Sequence, residues 1–276
     1  MKTIMVTGSC GYIGSNLCMM LIKKGYNIIQ IDKKIHSDIL STDLNRYNPD
    51  FIVHLAAISS ISECEKYQIQ AIHDNVLTCN RISQFAREKS IPVFFASSQA
   101  VKNPMGSTYT MTKLIGEETF KKYNNCVIMR FANVFGGINF IDDKTSVVAR
   151  WLREVQKGHK LTINGNGKQT RDFIHVDYIC QVIIGYMESL ASYYTTFDIG
   201  TGEEISLNKL ASYFSEYEKL TGKDIFRFDP DSDTVGVMGN VADTETLNDI
   251  INDNLIVVEE PITVEQYIKE FLKKFL

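Results

Sequence analysis

Between the apolar run Ile4-Met5-Val6 and the helix-like stretch 15–24 lies Thr7-Gly8-Ser9-Cys10-Gly11-Tyr12-Ile13-Gly14, a glycine-rich turn that joins a buried strand to the start of a helix. Glycine lets the backbone turn tightly and approach a ligand, and the first N–H groups of a helix carry partial positive charge without an intrahelical partner. Such a turn is built for a pyrophosphate. A second apolar run, 27–31, ends at Asp32, an acid placed where a dinucleotide fold needs an acceptor for the adenosine ribose hydroxyls. A glycine triplet alone is a weak signal, but strand, turn, helix, strand and acid in this order are specific. The spacing is G-x-x-G-x-x-G rather than G-x-G-x-x-G.

The rest of the chain alternates in the same way. Strand-like runs recur at 4–6, 28–31, 51–55, 92–96 and 127–131, with helical stretches at 14–24, 74–88 and 110–123. This pattern predicts a parallel sheet covered on both faces. Only residues 33–38 and Ile39 separate the second strand from what reads as a short third one, so any crossover helix there is lost or reduced to a turn. Beyond 135–137 the pattern predicts a helix at 146–157, a hairpin-like 161–167, a helix at 176–189 and a strand at 196–199 that rejoins the sheet. The segment 201–276, with helices at 207–220 and 264–275, then forms a smaller lobe. The expected division is a dinucleotide-binding domain of 1–155 and 172–200 and a substrate lobe of 156–171 and 201–276, with a cleft between them.

Composition narrows the function. A chain of 276 residues with 44% hydrophobic content can bury a full core, and a formal charge of -4 argues against nucleic acid or an anionic membrane as partner. No apolar run reaches the roughly 20 residues that span a bilayer, and the N-terminus enters a strand without a signal-peptide pattern, so the expected compartment is the cytoplasm. The six cysteines, Cys10, Cys18, Cys64, Cys79, Cys126 and Cys180, lack C-x-x-C pairs and nearby histidines, which speaks against a metal site or a disulfide framework. Cys10 lies inside the phosphate turn, where the backbone is what the ligand needs.

Tyr109 and Lys113 stand four residues apart at the start of a helical stretch and so share a face. A cation there is expected to favour the phenolate and lower the tyrosine pKa, so that the phenol exchanges a proton with a substrate hydroxyl. Ser98 follows the strand Val93-Phe94-Phe95-Ala96 and lies at the carboxyl edge of the sheet, where such folds bind ligands. Y-x-x-x-K alone is common. It acquires meaning from the dinucleotide turn and the serine-ended strand before it.

With all three present, the chain resembles the extended short-chain dehydrogenase/reductase family, and within it the nucleotide-sugar epimerases, dehydratases and ketoreductases. Its motifs map over nearly the whole chain: T-G-x-x-G-x-x-G on Thr7 to Gly14, the acid on Asp32, the adenine-contacting D-[IVL] on Asp38-Ile39, H-L-A-A on His54-Leu55-Ala56-Ala57, and the N-V helix start on Asn75-Val76. Ser98, Tyr109 and Lys113 match the catalytic trio. R-x-x-N-V-[YF]-G is Arg130 to Gly136, with Asn133 as the substrate-binding asparagine; R-D-[FY]-I-H-V-D is Arg171 to Asp177; Gly200-Thr201-Gly202 matches the glycine turn that opens the C-terminal lobe.

The resemblance implies a Rossmann-type doubly wound parallel sheet with a smaller C-terminal α/β substrate lobe. It implies that Gly8, Cys10, Gly11, Tyr12, Ile13, Gly14, Asp32, Lys33, Asp38, Ile39, Leu55, Ala56, Ala57, Asn75, Tyr109 and Lys113 hold the coenzyme, and that Ser98, Gln99, Asn133 and Arg171 meet the sugar nucleotide, Arg171 at its diphosphate. Asp172 is the alternative partner for Arg171. His54, His175 and Arg130 are expected to be structural. A carboxylate at Asp32 accepts from the ribose 2′-OH and repels a 2′-phosphate, favouring NAD over NADP, although Lys33 and Lys34 offer cations that would offset the repulsion. A homodimer through the helices at 74–88 and 110–123 is also implied.

The chain departs from its relatives after Ser98. Dehydrating relatives carry Asp-Glu there and decarboxylating ones a glutamate, whereas this chain has Gln99-Ala100, which cannot exchange protons. What remains is 4-epimerisation through a transient ketone, or net reduction of a 4-keto sugar; a non-catalytic dinucleotide-binding regulator would be expected to have a broken trio. Relatives usually read V-Y-G where Val101-Lys102-Asn103 stands, and the stretch from Ser98 to Tyr109 is short, so this rim of the site is expected to be open. The acidic run Asp229-Pro230-Asp231-Ser232-Asp233 stands where relatives place a nucleotide-clamping arginine, with Arg227 the nearby candidate.

Overall fold

Ile4, Met5 and Val6 are fully buried, and a run of three apolar residues without alternation is what a strand covered on both faces requires. In the computed structural model, which describes all residues except 104–105, 139, 143–145, 190–193, 223, 230–238, 240 and 276, this run is β1 (Thr3–Thr7). It leads into α1 (Tyr12–Lys23), β2 (Asn27–Ile31), β3 (Phe51–His54), α2 (Ile61–Lys66), α3 (Gln68–Lys89), β4 (Val93–Ser98), α4 (Thr108–Lys121) and β5 (Cys126–Phe131). Next come β6 (Asn133–Phe135), α5 (Val147–Lys157), β7 (Leu161–Asn164), β8 (Thr170–Arg171), β9 (Phe173–His175), α6 (Val176–Glu188) and β10 (Thr195–Ile199). The chain continues through β11 (Ile205–Ser206), α7 (Leu207–Ser212), α8 (Ser215–Thr221), β12 (Phe226–Asp229), α9 (Glu245–Asn252) and α10 (Val264–Leu272).

The main sheet is parallel throughout, in the order β10-β5-β4-β3-β1-β2. β1 has β2 on one side and β3 on the other, so the winding reverses beside it, and its carboxyl end is the switch point at which ligands of such sheets bind. No helix crosses between β2 and β3; short 3-10 turns at Lys33–Ile35 and Leu44–Arg46 fill the gap. The short strand expected at Asp38-Ile39 is a turn instead. The Asp38 carbonyl accepts from the Ser41 and Thr42 amides at 3.2 and 2.8 Å and its Oδ1 from the Leu40 amide at 3.0 Å, bonds that close a turn on the residues that follow.

The hairpin expected at 161–167 is also replaced. β7 pairs in parallel with β12, 65 residues on by register, and β8 pairs antiparallel with β11. The turn between β7 and β8 is pinned from elsewhere: Asn208 donates through its amide to the Gly167 carbonyl at 3.0 Å and through Nδ2 to the Asn166 carbonyl at 3.1 Å.

Two hydrophobic cores serve one face of the sheet and the C-terminal segment. α5 packs Val148, Trp151, Leu152 and Val155 into a second core with Leu161, Ile163, Phe214, Val264 and Ile268, rather than against the sheet. Leu247 and Ile250 of α9, with Ile256, return to the sheet core beside α6.

The seat of α4 is a buried ion pair. Glu117 is fully buried and takes both arms of Arg130, Nε on Oε1 at 2.8 Å and Nη2 on Oε2 at 2.7 Å, while Ser97 Oγ donates to Oε1 at 2.6 Å. Arg130 on β5 is thus structural, and α4 is locked to β4 and β5 in one register. Replacing Glu117 by Ala strands a partly buried guanidinium and is expected to cost about 3 kcal/mol of unfolding free energy in a urea melt; a loss below about 1 kcal/mol would show that the pair does not seat the helix.

Candidate active site

The glycine turn is shaped by steric exclusion. Gly8 has φ +70°, and a Cβ there would stand 2.8 Å from the Ala56 amide nitrogen; a Cβ on Gly14 would stand 2.1 Å from the Gly8 carbonyl oxygen. Only hydrogen fits at either place. α1 follows Gly11 without a side-chain cap and with no acidic residue in its first turn, so the amide dipoles of that first turn face the glycine loop. This donor set fits a pyrophosphate. Cys10 contributes its backbone, with its amide donating to Asp32 Oδ2 at 2.9 Å, and Tyr12 Oη donates to the Gly136 carbonyl at 2.7 Å.

Asp32 therefore stands beside the turn, where an adenosine ribose would need it, and its second oxygen accepts from the Lys34 amide at 2.8 Å. The adjacent lysines are drawn elsewhere. Lys33 Nζ lies 2.9 Å from Asp74 Oδ2 and 3.7 Å from Asp38 Oδ2, and its pKa is raised, first by the hydrogen bond to Asp74. Lys34 Nζ donates to the Cys10 carbonyl at 3.3 Å. Lys33 is thus paired away from Asp32, while the Lys34 ammonium stays at the glycine turn; the free face of the Asp32 carboxylate fits the ribose hydroxyls of NAD.

Residues 55–57 leave β3 against the glycine turn, and the Ala56 amide donates to Thr7 Oγ1 at 3.3 Å. Asn75, expected at the coenzyme, has protein partners on its whole side chain: Oδ1 accepts from the Ile58 amide at 2.8 Å, and Nδ2 donates to the Ile58 carbonyl at 3.1 Å and to Thr112 Oγ1 at 3.0 Å. It clamps the 56–58 segment to α4. Ile39 is buried at 4% exposure in the core beneath the β2–β3 connection. His54 hydrogen-bonds Thr7 Oγ1 at 2.7 Å, and burial, helped by the Lys113 charge, pushes its pKa down to about 3; it is a neutral core residue. His175 caps α6, Nδ1 accepting from the Asp177 amide at 3.2 Å.

Ser98, Tyr109 and Lys113 come together at the carboxyl edge of β4. Ser98 ends the strand and accepts from the Ala100 amide at 3.2 Å, and its hydroxyl is near enough to the Tyr109 phenol to favour the phenolate. Ser107 caps α4, accepting from the Thr110 amide at 3.1 Å, and so sets Tyr109 in the first turn. Lys113, one turn on and 6% exposed, donates to the Ala96 carbonyl at 2.7 Å, with Nζ 5.2 Å from the Phe95 ring centroid and 6.0 Å from that of Tyr109.

This geometry reverses one expectation. The Tyr109 pKa is not lowered but pushed up to about 12, because burial strips the phenolate of water and this outweighs the effect of the Ser98 hydroxyl. Lys113 aims its ammonium at a carbonyl under the sheet edge rather than at the phenol, and burial lowers its own pKa.

On the substrate side, Gln99 follows Ser98 at 2% exposure in the turn Gln99–Lys102. Asn133 begins β6, which pairs with β9, and Nδ2 donates to the Asp172 carbonyl at 3.1 Å. Arg171 is half-buried on β8, and burial lowers its pKa. The alternative partner considered for it, Asp172, is fully buried and taken up by Thr201 (amide 2.9 Å, Oγ1 2.7 Å), Gly202 (3.0 Å) and Ala242 (3.1 Å). Asp172 thus ties the Gly200-Thr201-Gly202 turn to the β8–β9 segment. The role of Glu117 went unread in the sequence, although it follows Tyr109 and Lys113 at the same four-residue step. The acidic run beyond Asp229 lies outside the described residues; Arg227 Nε donates to Thr162 Oγ1 at 2.7 Å. Among the described residues no cluster of His, Cys, Asp and Glu could hold a metal ion, and no helix is long and apolar enough to cross a membrane.

Because the raised pKa keeps Tyr109 protonated below the alkaline range, the difference in phenolate absorbance between coenzyme-free protein and its Tyr109→Phe variant should develop only toward about pH 12. A difference that develops near neutral pH would show that burial does not control this phenol.

Residues 4–200 match the model of the NAD dependent epimerase/dehydratase family. A UDP-glucose 4-epimerase from Bacillus subtilis is 23% identical over 82% of this chain and 84% of its own, and a UDP-N-acetyl-alpha-D-glucosaminuronate decarboxylase from Bacillus cytotoxicus is 25% identical over 76% and 78%. The solved structure of MoeE5 in complex with UDP-glucuronic acid and NAD shares the fold with a TM-score of 0.83, at 22% identity, over 99% of this chain and all of that one. The glycine turn, its acid and the paired tyrosine and lysine thus belong to an enzyme of the extended short-chain type, and the chain is a member of the NAD dependent epimerase/dehydratase family.

Proposed function

We propose that this chain is a nucleotide-sugar 4-epimerase. The observation that carries the reading is the gathering of Ser98, Tyr109 and buried Lys113 at the carboxyl edge of β4, followed by Gln99 and Ala100, which bring no second acid or base. Dehydration and decarboxylation need such a group, whereas epimerisation needs one proton and one hydride.

In this reading NAD, when bound, supplies the hydride acceptor and donor. Gly8, Gly11 and the start of α1 would hold its pyrophosphate, Asp32 its adenosine ribose, and Lys113 its nicotinamide ribose. Tyr109 takes the proton of the sugar 4-hydroxyl and returns it, and Ser98 holds the same oxygen. Arg171 grips the diphosphate with its planar fork, and Asn133 and Gln99 orient the sugar. The raised pKa of the free protein is a state that substrate and coenzyme must shift, and the Lys113 ammonium within about 6 Å is the cation available to do so.

A homodimer through α3 and α4 fits the same fold. Ile69 and Ile72 on α3 are 87% and 48% exposed, and Met111 and Ile115 on α4 are 49% and 42% exposed. Their spacings put each pair on one side of its helix, an apolar surface that a second copy would cover.

Pure protein should release NAD on heating and interconvert the two 4-epimers of a UDP-hexose without net coenzyme consumption. Stoichiometric oxidation of NADH with a 4-keto sugar would replace epimerisation by reduction. Tyr109→Phe should lower kcat by about 10²–10⁴ with coenzyme content unchanged; full turnover in that variant would remove the phenol from the mechanism. Ile72→Glu combined with Ile115→Glu should sediment as a monomer where the parent protein is a dimer, and a dimer unaffected by both changes would place the contact elsewhere.

A further inference from the structure

The turn that follows Ser98 is fastened across the cleft at its far end. Lys102 closes this turn, and its ammonium lies 2.6 Å from Asp198 Oδ2 and donates to the Val241 carbonyl at 3.1 Å. Asp198, on β10, is only 3% exposed, so its carboxylate needs a close cation. Arg130 adds a weaker attraction, its own guanidinium being held by Glu117. The same Asp198 oxygen accepts from the Asp243 amide at 2.9 Å. Between these two contacts the Ala242 amide donates to Asp172 Oδ2 at 3.1 Å.

Three successive residues, Val241, Ala242 and Asp243, are therefore held by three different anchors. Asp172 adjoins Arg171, and Lys102 lies four residues beyond Ser98. One short segment thus links the phenol-bearing side of the cleft to the guanidinium proposed to grip the diphosphate. The rim expected to be open is closed on this side by Lys102, at the position where relatives usually carry the tyrosine of V-Y-G.

From this arrangement we infer that Lys102 is a positioning residue: through Asp198 and residues 241–243 it holds the Ser98-Gln99 turn in register with Arg171. The inference rests on the reaction proposed above for its consequence in turnover, and on the contacts alone for the strap itself. Proton and hydride transfer at one sugar carbon require the sugar, held at its diphosphate, to meet Ser98 and Tyr109 within a fraction of an ångström. A loose turn leaves the binding groups intact and misplaces the reacting ones.

The test uses the full-length protein as Lys102→Met, Lys102→Arg and Asp198→Asn. Asparagine still accepts the Asp243 amide, so Asp198→Asn removes the charge pair with little change in shape. Lys102→Met and Asp198→Asn should each lower kcat with UDP-glucose by about tenfold or more, while KM and coenzyme content stay within about twofold. Lys102→Arg should recover most of the loss, and the Met/Asn double variant should be no slower than the worse single one. Amide hydrogen exchange should quicken by about tenfold at Ala100, Ala242 and Asp243 in both single charge-removing variants. Unchanged exchange at all three amides overturns the strap, whatever the activity. Faster exchange with intact kcat overturns the positioning role. Absence of turnover in the unaltered enzyme would count against the proposed reaction, and amide exchange would then decide the strap.

Discussion

Helix α4 carries Tyr109, Lys113 and Glu117 at successive four-residue steps, and the bidentate pair between Glu117 and Arg130 decides where all three stand. Glu117 is fully buried, and besides Lys121 at 3.9 Å on its own helix its charge is held by Arg130 and Ser97, which belong to neighbouring strands of the sheet. The helix cannot rotate or slide without stranding that charge. Its first turn is thereby held at the carboxyl edge of β4, where Ser98 ends the strand. The position of the phenol is a consequence of an ion pair two turns away.

Burial then sets the chemistry of what α4 presents. It drives Tyr109 up to about 12 and His54 down to about 3, and so keeps one phenol and one imidazole neutral beside the Lys113 ammonium. A protein edge that holds one cation among neutral groups concentrates its field on what enters. At the other end of the sheet edge the opposite arrangement holds. Asp32 stays beside the glycine turn, its oxygens held by the Cys10 and Lys34 amides, while Lys33 is paired with Asp74 and Asp38 across the β2–β3 connection.

The family contains enzymes that epimerise and enzymes that remove carbon dioxide or water, and relatives of both of the first two kinds share about a quarter of their residues with this chain. Fold and coenzyme therefore do not select the reaction. After Ser98, Gln99 and Ala100 add no titratable group, and Lys102 reaches Asp198 on β10. α9 joins the sheet core through Leu247 and Ile250, and residues 241–243, which lead into it, are tied to both Asp172 and Asp198.

Local pattern determined a great deal. Apolar runs of three to five residues between helical stretches read directly as a parallel sheet, because strands buried on both faces leave no polar alternation, and the glycine turn with Asp32 read as a dinucleotide site because its geometry is written within thirty residues. The four-residue spacing of Tyr109 and Lys113 predicted a shared face for the same reason. What pattern could not supply was set by distant partners. Asp38-Ile39 is a turn because the Asp38 carbonyl and carboxylate meet the amides that follow, β7 pairs with β12 rather than folding back, and α5 joins the second core. The direction of the Tyr109 shift, the pairing of Lys33 and the bond from Lys102 to Asp198 depend on which groups are deprived of water together. Such desolvation is a property of packing in three dimensions, and no spacing along the chain encodes it.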